Sequence, residues 1–565
     1  MERKWWHDKV ACQIYPKSFY DSNGDGIGDL PGIIEKLDYL KGLGIDILWL
    51  SPVYASPMVD NGYDISDYQA IDPCFGTMED MDRLIAEAKK RGMEIVMDLV
   101  VNHCSSEHEW FRKAIADPDG EYGSYFYIKE GKDGLPPNNW RSYFGGSVWE
   151  KVPGTDNKYY FHSYARQQPD LNWENPALRE EIYRMVNWWL EKGIAGFRID
   201  AIINIKKDLT WEDLPADGPD GMGNLSESIV RLHKRDGGTK KGIGVFLEEL
   251  KERCFAPHDA FTVGEVCILD NGQLEEFIGE NGYFSTMFAF AAIVSYKNHA
   301  DQWCGFDRHM DPDRWKKDVF SNQAFLGDIA FEANIIENHD QPRGATLYIP
   351  EEEYGFASVS ALAGLQVLQR GLPFLYQGQE IGMTNCPFSL EEYDDLGTLE
   401  NYRYMQECGI SETEAREACA RESRDNARTP MQWTDGPNAG FTTGTPWLKV
   451  NPNYVSINVK KQEAEYGSVL NYYKRLIAFR KSEEYREVLT YGSFIPMYED
   501  QEKIFAFKRV LGEQELTVIC NFSGSDRFLK LKEDYAEVIF VNLPQVTRIG
   551  DNLILHPFQL IVTEK

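Results

Sequence analysis

The sequence predicts an α/β chain: a (β/α)8 TIM barrel with a small domain inserted after its third strand and an antiparallel β-sandwich domain following it. Three observations predict this. Short apolar runs of β-type residues alternate with amphipathic helical patterns over most of the chain, and continuous apolar strands joined by helices form parallel sheets buried on both faces. The alternation lapses over residues 104–175. After residue 483 it gives way to short strands with no helices between them.

"ACQIYPKSF" (11–19) reads as the first strand and "LPGIIEKLDYLKGLG" (30–44) as the first helix. "IDILWLSPVY" (45–54) is the second strand. "TMEDMDRLIAEAKKRG" (77–92) is helical, with acids early and bases late to match the helix dipole. "MEIVMDLVVNH" (93–103) is the third strand. Residues 104–175 are rich in Gly, Pro, Asn and aromatics and form the inserted domain. The rhythm resumes with the helix "NPALREEIYRMVNWWLEKG" (175–193) and with strands at "IAGFRID" (194–200), "AFTVGEV" (260–266), "FEANIIENHD" (331–340) and "LPFLYQGQE" (372–380). Eight such units would close a barrel. A long polar stretch, 381–465, follows the last strand, and "LNYYKRLIAFRKS" (470–482) is the final helix. The barrel therefore takes 1–103 and 176–483, the inserted domain 104–175, and the β domain 484–565.

A net charge of −31 repels nucleic acid and anionic membranes, so neither is an expected partner. Abundant aromatics (14 Trp, 30 Tyr, 30 Phe) beside many acids suit a neutral sugar, which stacks on rings and hydrogen-bonds to carboxylates. The ten cysteines form no CxxC pair, which argues against a zinc or redox motif. "MERKWWHDKV" shows no signal-peptide h-region, and the apolar run "FSTMFAFAAIVSY" (284–296) is too short to span a bilayer. The expected protein is cytoplasmic, monomeric or weakly homo-oligomeric, with reduced thiols.

Polar residues gather where strands end: His103, then Arg198 with Asp200, then Glu265, then His339 with Asp340. In a barrel these C-terminal ends converge on one face. Arg198 and Asp200 stand two apart on a strand and point the same way. A cation beside a carboxylate keeps it ionised, as a nucleophile requires, while a second carboxyl can act as general acid. That pairing is the working set for glycoside cleavage. Each acid taken singly is equally well a strand-end cap or an ion-pair partner.

"DLVVNH" (98–103), "GFRIDA" (196–201), "GEV" (264–266) and "ENHD" (337–340) occur in this order, with "NGYDISDY" (61–68), "QPDLN" (168–172) and "RDNARTPMQW" (424–433) as further signatures. With them the whole chain resembles the α-amylase family of glycoside hydrolases, in its oligo-1,6-glucosidase and α-glucosidase branch. The resemblance implies Asp200 as nucleophile, Glu265 as general acid/base and Asp340 as transition-state stabiliser. It implies that His103 and His339 bind the same glucose, that Arg198 orients Asp200, and that Asp64 pairs with Arg424 to close the pocket. Phe144, Tyr164 and Gln168 would shape its entrance. The activity it implies is retaining, exo-acting hydrolysis of terminal α-linked glucose. "QPDLN" favours α-1,6 linkages, but Ala201 stands where the branch carries Val (α-1,6) or Thr (α-1,4), which leaves α-1,4 and sucrose activity open. Within the same fold, the alternatives are a sucrose isomerase or transglucosylase, a trehalose-6-phosphate hydrolase, and a non-catalytic transporter heavy-chain-like protein.

"DSNGDGIGDL" (21–30) places Asp21, Asn23, Asp25 and Asp29 at EF-like spacing, but position twelve of that loop is Gly32 rather than Glu. The G-x-G-x-G spacing does not fit a dinucleotide loop. A solvated turn and a metal site both remain open from the residues alone. The family resemblance implies a structural Ca2+ (alternatively Mg2+) held by Asp21, Asn23, Asp25, Asp29 and the Ile27 carbonyl, with no metal in catalysis.

Overall fold

The computed structural model describes residues 2–217, 220–232, 242–266, 271–290, 297, 303–327, 329–535 and 537–565. Its barrel strands are β1 (Ala11–Ile14), β2 (Ile47–Leu50), β3 (Glu94–Val100), β4 (Gly196–Asp200), β5 (Phe261–Gly264), β6 (Thr286–Met287), β7 (Ala333–Asn334) and β8 (Leu372–Tyr376). The sheet runs β6–β5–β4–β3–β2–β1–β8–β7, and its paired strands are parallel. A parallel bridge between Phe288 and Ala333 joins β6 to β7 and closes the ring. β6 lies inside the run 284–296, where the sequence shows only an apolar stretch with no charged residue to mark a strand end. Residues 291–296 of that run lie outside the described residues.

The helices follow their local signals. Met78–Lys90 opens on a Thr77–Asp80 capping box. Pro176–Lys192 opens on the Asn175 cap with Pro at its first position and stops at Gly193, whose φ is 105°. The helix expected over 30–44 is broken at Lys36 into Leu30–Glu35 and Leu37–Leu43.

Strand alternation sorts the barrel's two faces. On β4, Phe197 and Ile199 join the core under the helices, while Arg198 turns inward on to Trp49. Gly196 is required by close approach: a Cβ there would lie 1.8 Å from the Phe261 carbonyl oxygen of β5. Trp6, Trp49, Val96, Phe261, Phe288 and Phe374 fill the interior. Trp6 is thus packing rather than a sugar platform.

The inserted domain carries a three-stranded antiparallel sheet of Ile128–Glu130, Lys158–Phe161 and Trp149–Lys151. Its core of Trp140, Trp149 and Phe161 also takes Trp211, Leu214 and Leu232 from the segment after β4. The inserted unit therefore draws on chain well past residue 175. The buried Lys207 ammonium fastens it to the end of β3, contacting Asp170 Oδ2 at 2.5 Å and Asn102 Oδ1 at 2.8 Å.

The C-terminal domain is a sandwich. One sheet is ordered β9–β10–β11–β16–β13 and the other β12–β15–β14, where β9 is Ser493–Met497, β10 Ile504–Leu511, β11 Gln514–Asn521, β12 Arg527–Lys530, β13 Glu537–Val541, β14 Thr547–Ile549, β15 Asn552–Leu555 and β16 Leu560–Glu564. Ile504, Ile519, Leu529, Leu553 and Ile561 form one cluster between the sheets. The polar stretch after β8 contains two helices, Leu396–Glu407 and Glu412–Glu422, with a small core of their own. No helix of the described residues is long and apolar enough to cross a membrane.

Candidate active site

Arg198 is the hub of the barrel's C-terminal face. Its Nη1 lies 2.9 Å from Asp98 Oδ1 and 2.7 Å from Asp200 Oδ1, and its Nη2 lies 3.0 Å from Glu265 Oε2. The expected Arg198–Asp200 pair is present, yet the guanidinium is shared among three carboxyls. Asp200 and Glu265 sit on its two arms. Glu265 also accepts the Ala201 backbone N–H at 2.8 Å. Ala201 adopts φ 41°, a left-handed conformation uncommon for a residue with a side chain, which turns that N–H towards Glu265.

Burial pushes the Asp200 carboxyl well up; Arg198 opposes this, while Glu265, Asp98 and Asp340 add to it. Asp98 is likewise pushed up, to about 6, by burial against the pull of Arg198. Asp340 goes the other way. Burial would raise it, but the His339 Nε2 contact at 3.1 Å and the Arg424 and Arg428 guanidiniums outweigh burial and hold it well below the usual carboxylate range. Its Oδ1 accepts from Arg428 Nη2 at 2.9 Å and lies 3.4 Å from Arg424 Nη1.

Hydrogen bonds fix the tautomer of His339. The Tyr63 hydroxyl donates to the Asp98 carboxylate (3.0 Å), so its oxygen accepts from His339 Nε2–H at 2.6 Å. His339 Nδ1 is then bare and accepts from the Gln13 amide at 2.7 Å. The ring is neutral, with burial as the leading cause that pulls its pKa down to about 3. His103 Nε2 lies 3.0 Å from the Tyr63 carbonyl. Both imidazoles are thus held by protein partners, and a glucose contact would have to share a nitrogen with one of them.

The expected Asp64–Arg424 pair is absent. Asp64 is fully buried and turned on to its own loop: its oxygens accept Val59 N–H (3.0 Å), Asp60 N–H (3.1 Å) and Ser56 Oγ–H (3.0 Å). It shapes a turn in which Met58 and Asn61 have φ 62° and 50°. Asp60 takes the expected role, with Oδ1 3.1 Å from Arg424 Nη2. Arg424 is also held by Asp395 at 2.6 Å.

Gln168 does not reach the entrance. It is fully buried; its Nε2 donates to Asp60 Oδ2 at 3.1 Å and lies 3.2 Å from His103 Nε2, fastening the inserted domain to the site. Tyr164 and Phe144 are half-buried and border the site. The Tyr164 ring lies 5.3 Å from that of His103 and 5.6 Å from that of Phe144, and Phe144 lies under the Arg424 guanidinium at 5.4 Å. Sequence reasoning missed Asp98, Asp60, Tyr63, Asp395, Arg428 and Gln13. Asp98 carried a visible signal, a charge in the middle of a strand whose other residues past Glu94 are apolar. The others become site residues only through contacts distant in sequence.

In the 21–29 loop, alternate side chains accept the N–H two residues on: Asp21 from Asn23 (3.0 Å), Asn23 from Asp25 (2.9 Å) and Asp25 from Ile27 (2.9 Å). Asp21 also accepts from Gly24, Gly26 and Thr442. Asp29 caps the helix Leu30–Glu35 through Gly32 N–H at 2.6 Å. Gly26 serves close packing, since a Cβ would lie 1.9 Å from the Thr445 carbonyl oxygen. Among the described residues no three His, Cys, Asp or Glu side chains group as a metal site. The loop has hard oxygen donors suited to Ca2+, but closes on its own hydrogen bonds.

The family described as "Alpha amylase, catalytic domain" matches residues 13–492. An oligo-1,6-glucosidase of Halalkalibacterium halodurans is 43% identical over 534 residues, covering 93% of this chain and 91% of the relative. Two solved structures, each 37% identical and aligned over 100% of both chains, are an isomaltulose synthase from Klebsiella sp. LX3 (TM-score 0.92) and a mutant trehalose-6-phosphate hydrolase from Bacillus licheniformis (TM-score 0.90). With the barrel, its inserted domain and the carboxyl cluster about Arg198, these matches establish that the chain belongs to the α-amylase family of glycoside hydrolases.

Proposed function

We propose that this glycoside hydrolase is a retaining, exo-acting oligo-1,6-glucosidase, removing terminal α-1,6-linked glucose from short isomaltose-type oligosaccharides. The observation that carries the reading is the placement of Asp200 and Glu265 on the two arms of one guanidinium, with Arg424 reaching both Asp60 and Asp340. Two carboxyls bridged so closely suit retention, which requires a separation of about 5–5.5 Å, rather than the wider gap that inversion needs for a water.

Asp200 attacks the anomeric carbon as Glu265 protonates the glycosidic oxygen, and the aglycone alcohol leaves. The glucosyl ester on Asp200 is then cleaved by water, whose proton returns to Glu265. Asp340, ionised under its cationic neighbours, supports the oxocarbenium-like transition state. Asp60 and Arg424 recognise the hydroxyls of the non-reducing end. Ala201 leaves room beside the scissile bond for α-1,4 or sucrose linkages as minor substrates.

Sucrose isomerisation fits less well. The segment after Asp340 (341–355) contains one arginine, Arg343, and it is fully buried, paired with Glu337 at 3.1 Å and bonded to the Gln377 and Ala427 carbonyls. The test is a panel of isomaltose, maltose, sucrose and trehalose-6-phosphate, with products followed by NMR. Isomaltose as the best substrate and α-glucose as the first anomer are expected. Initial β-glucose overturns retention, isomaltulose from sucrose moves the protein to the isomerases, and turnover confined to trehalose-6-phosphate moves it to the phosphate-sugar hydrolases.

We further propose a structural Ca2+ in the 21–29 loop, supported by its hard donors at alternate positions. We also place the protein in the cytoplasm, supported by buried free thiols such as Cys12, Cys104 and Cys520.

A further inference from the structure

We propose that Asp395 is a positioning residue for chain-end recognition: the helical excursion after β8 aims Arg424 at the terminal sugar through this one buried carboxylate. The proposal rests on the α-glucosidase reading above. Three carboxylates surround Arg424. Asp340 belongs to the reacting centre and Asp60 borders the pocket. The Asp395 side chain is fully buried and cannot touch a sugar. It nonetheless makes the shortest contacts, because Arg424 Nε (2.9 Å) and Nη2 (2.6 Å) both donate to its Oδ1. A guanidinium gripped along that edge has one orientation left. Nη2 then also meets Asp60 at 3.1 Å, and Nη1 faces Asp340 at 3.4 Å.

Asp395 is itself fixed from two directions. Its Oδ2 accepts from Thr398 N–H (3.1 Å) and Thr398 Oγ1–H (2.6 Å), capping the helix Leu396–Glu407. Its backbone N–H donates at 3.0 Å to Asp425 Oδ2, next in sequence to Arg424. The excursion thus leaves from one partner of the ion pair and returns to the other. Its two helices, packed on their own small core, set the distance between them.

Capping and charge can be separated. Asn caps a helix as well as Asp does but cannot ion-pair, so Asp395→Asn keeps the cap and removes the grip. Thr398→Val weakens the cap and keeps the charge. The expected result for Asp395→Asn is a rise in KM for isomaltose, and in the inhibition constant for glucose, of roughly tenfold or more, with kcat within a few-fold and Tm near that of the parent. Thr398→Val should lower Tm and leave KM unchanged. A folded Asp395→Asn with KM within about twofold of the parent overturns the proposal, as does an equal KM rise in Thr398→Val. If both Asp395→Asn and Asp395→Ser fail to fold, the residue is structural and the proposal falls. The parent enzyme's own activity on isomaltose tests the function reading separately.

Discussion

Asp60 Oδ1 meets Arg424 Nη2 at 3.1 Å, and this contact joins the loop after β2 to a residue 364 positions later. Asp60→Asn should raise KM for isomaltose by about tenfold, the cost of a lost charge-assisted bond. Asp64→Asn should instead lose roughly 1–2 kcal/mol of stability by disturbing the 59–60 turn, with a smaller change in KM. Steady-state kinetics and thermal melts on the two variants check this. An Asp64→Asn that raises KM as much as Asp60→Asn would contradict the assignment.

Arg198 bridges Asp98, Asp200 and Glu265. Arg198→Lys keeps a charge but cannot span three carboxyls, and kcat should fall by about a hundredfold or more. Arg198 opposes the burial that raises Asp200. Without it the nucleophile ionises at higher pH, so the acid limb of kcat/KM should move upward. An unmoved limb in a pH–rate profile would show that Arg198 does not govern the nucleophile.

Glu332, beside β7 and buried, is pushed up to about 8 by burial, with an Asn322 hydrogen bond opposing the shift. A folded-state pKa above the unfolded value means that the native protein binds the extra proton. This contribution to stability is complete below about pH 4.5 and is lost as pH rises towards 8. Glu332→Gln, isosteric and uncharged, should therefore raise Tm by roughly 2–4 °C at pH 8.5 relative to the parent, and by little at pH 5. Melting curves at the two pH values decide; an equal shift at both would exclude the linkage.

For the 21–29 loop, metal analysis of the purified protein should find about one Ca2+ per chain, and chelation should lower Tm by a few degrees. Activity at 25 °C should persist, because no catalytic step uses the ion. Absence of metal together with an unmoved Tm would leave the loop as the hydrogen-bonded turn it already forms. Immediate inactivation of a folded, chelated protein would assign the ion a catalytic role.

The sequence by itself determined the barrel, seven of its strands and the ends of its main helices. It also brought out Arg198, Asp200, Glu265 and Asp340 as a set. These are local matters: strand burial, capping and side-chain alternation act between residues a few positions apart, so they leave a periodic trace. The trace fails for β6, which lies inside the apolar run 284–296 and has no charged residues at its end to set it off, as Glu337 and Asp340 set off β7. Only the tertiary structure decided who meets whom. Asp60 and Asp64 are the same residue type, four positions apart. The backbone turn spends Asp64 on neighbouring N–H groups and leaves Asp60 facing Arg424. Likewise Asp395 lies within a polar stretch that gives no local sign of function. It gains its role because burial next to a guanidinium demands a paired charge, and which acid supplies that charge depends on the path of the chain.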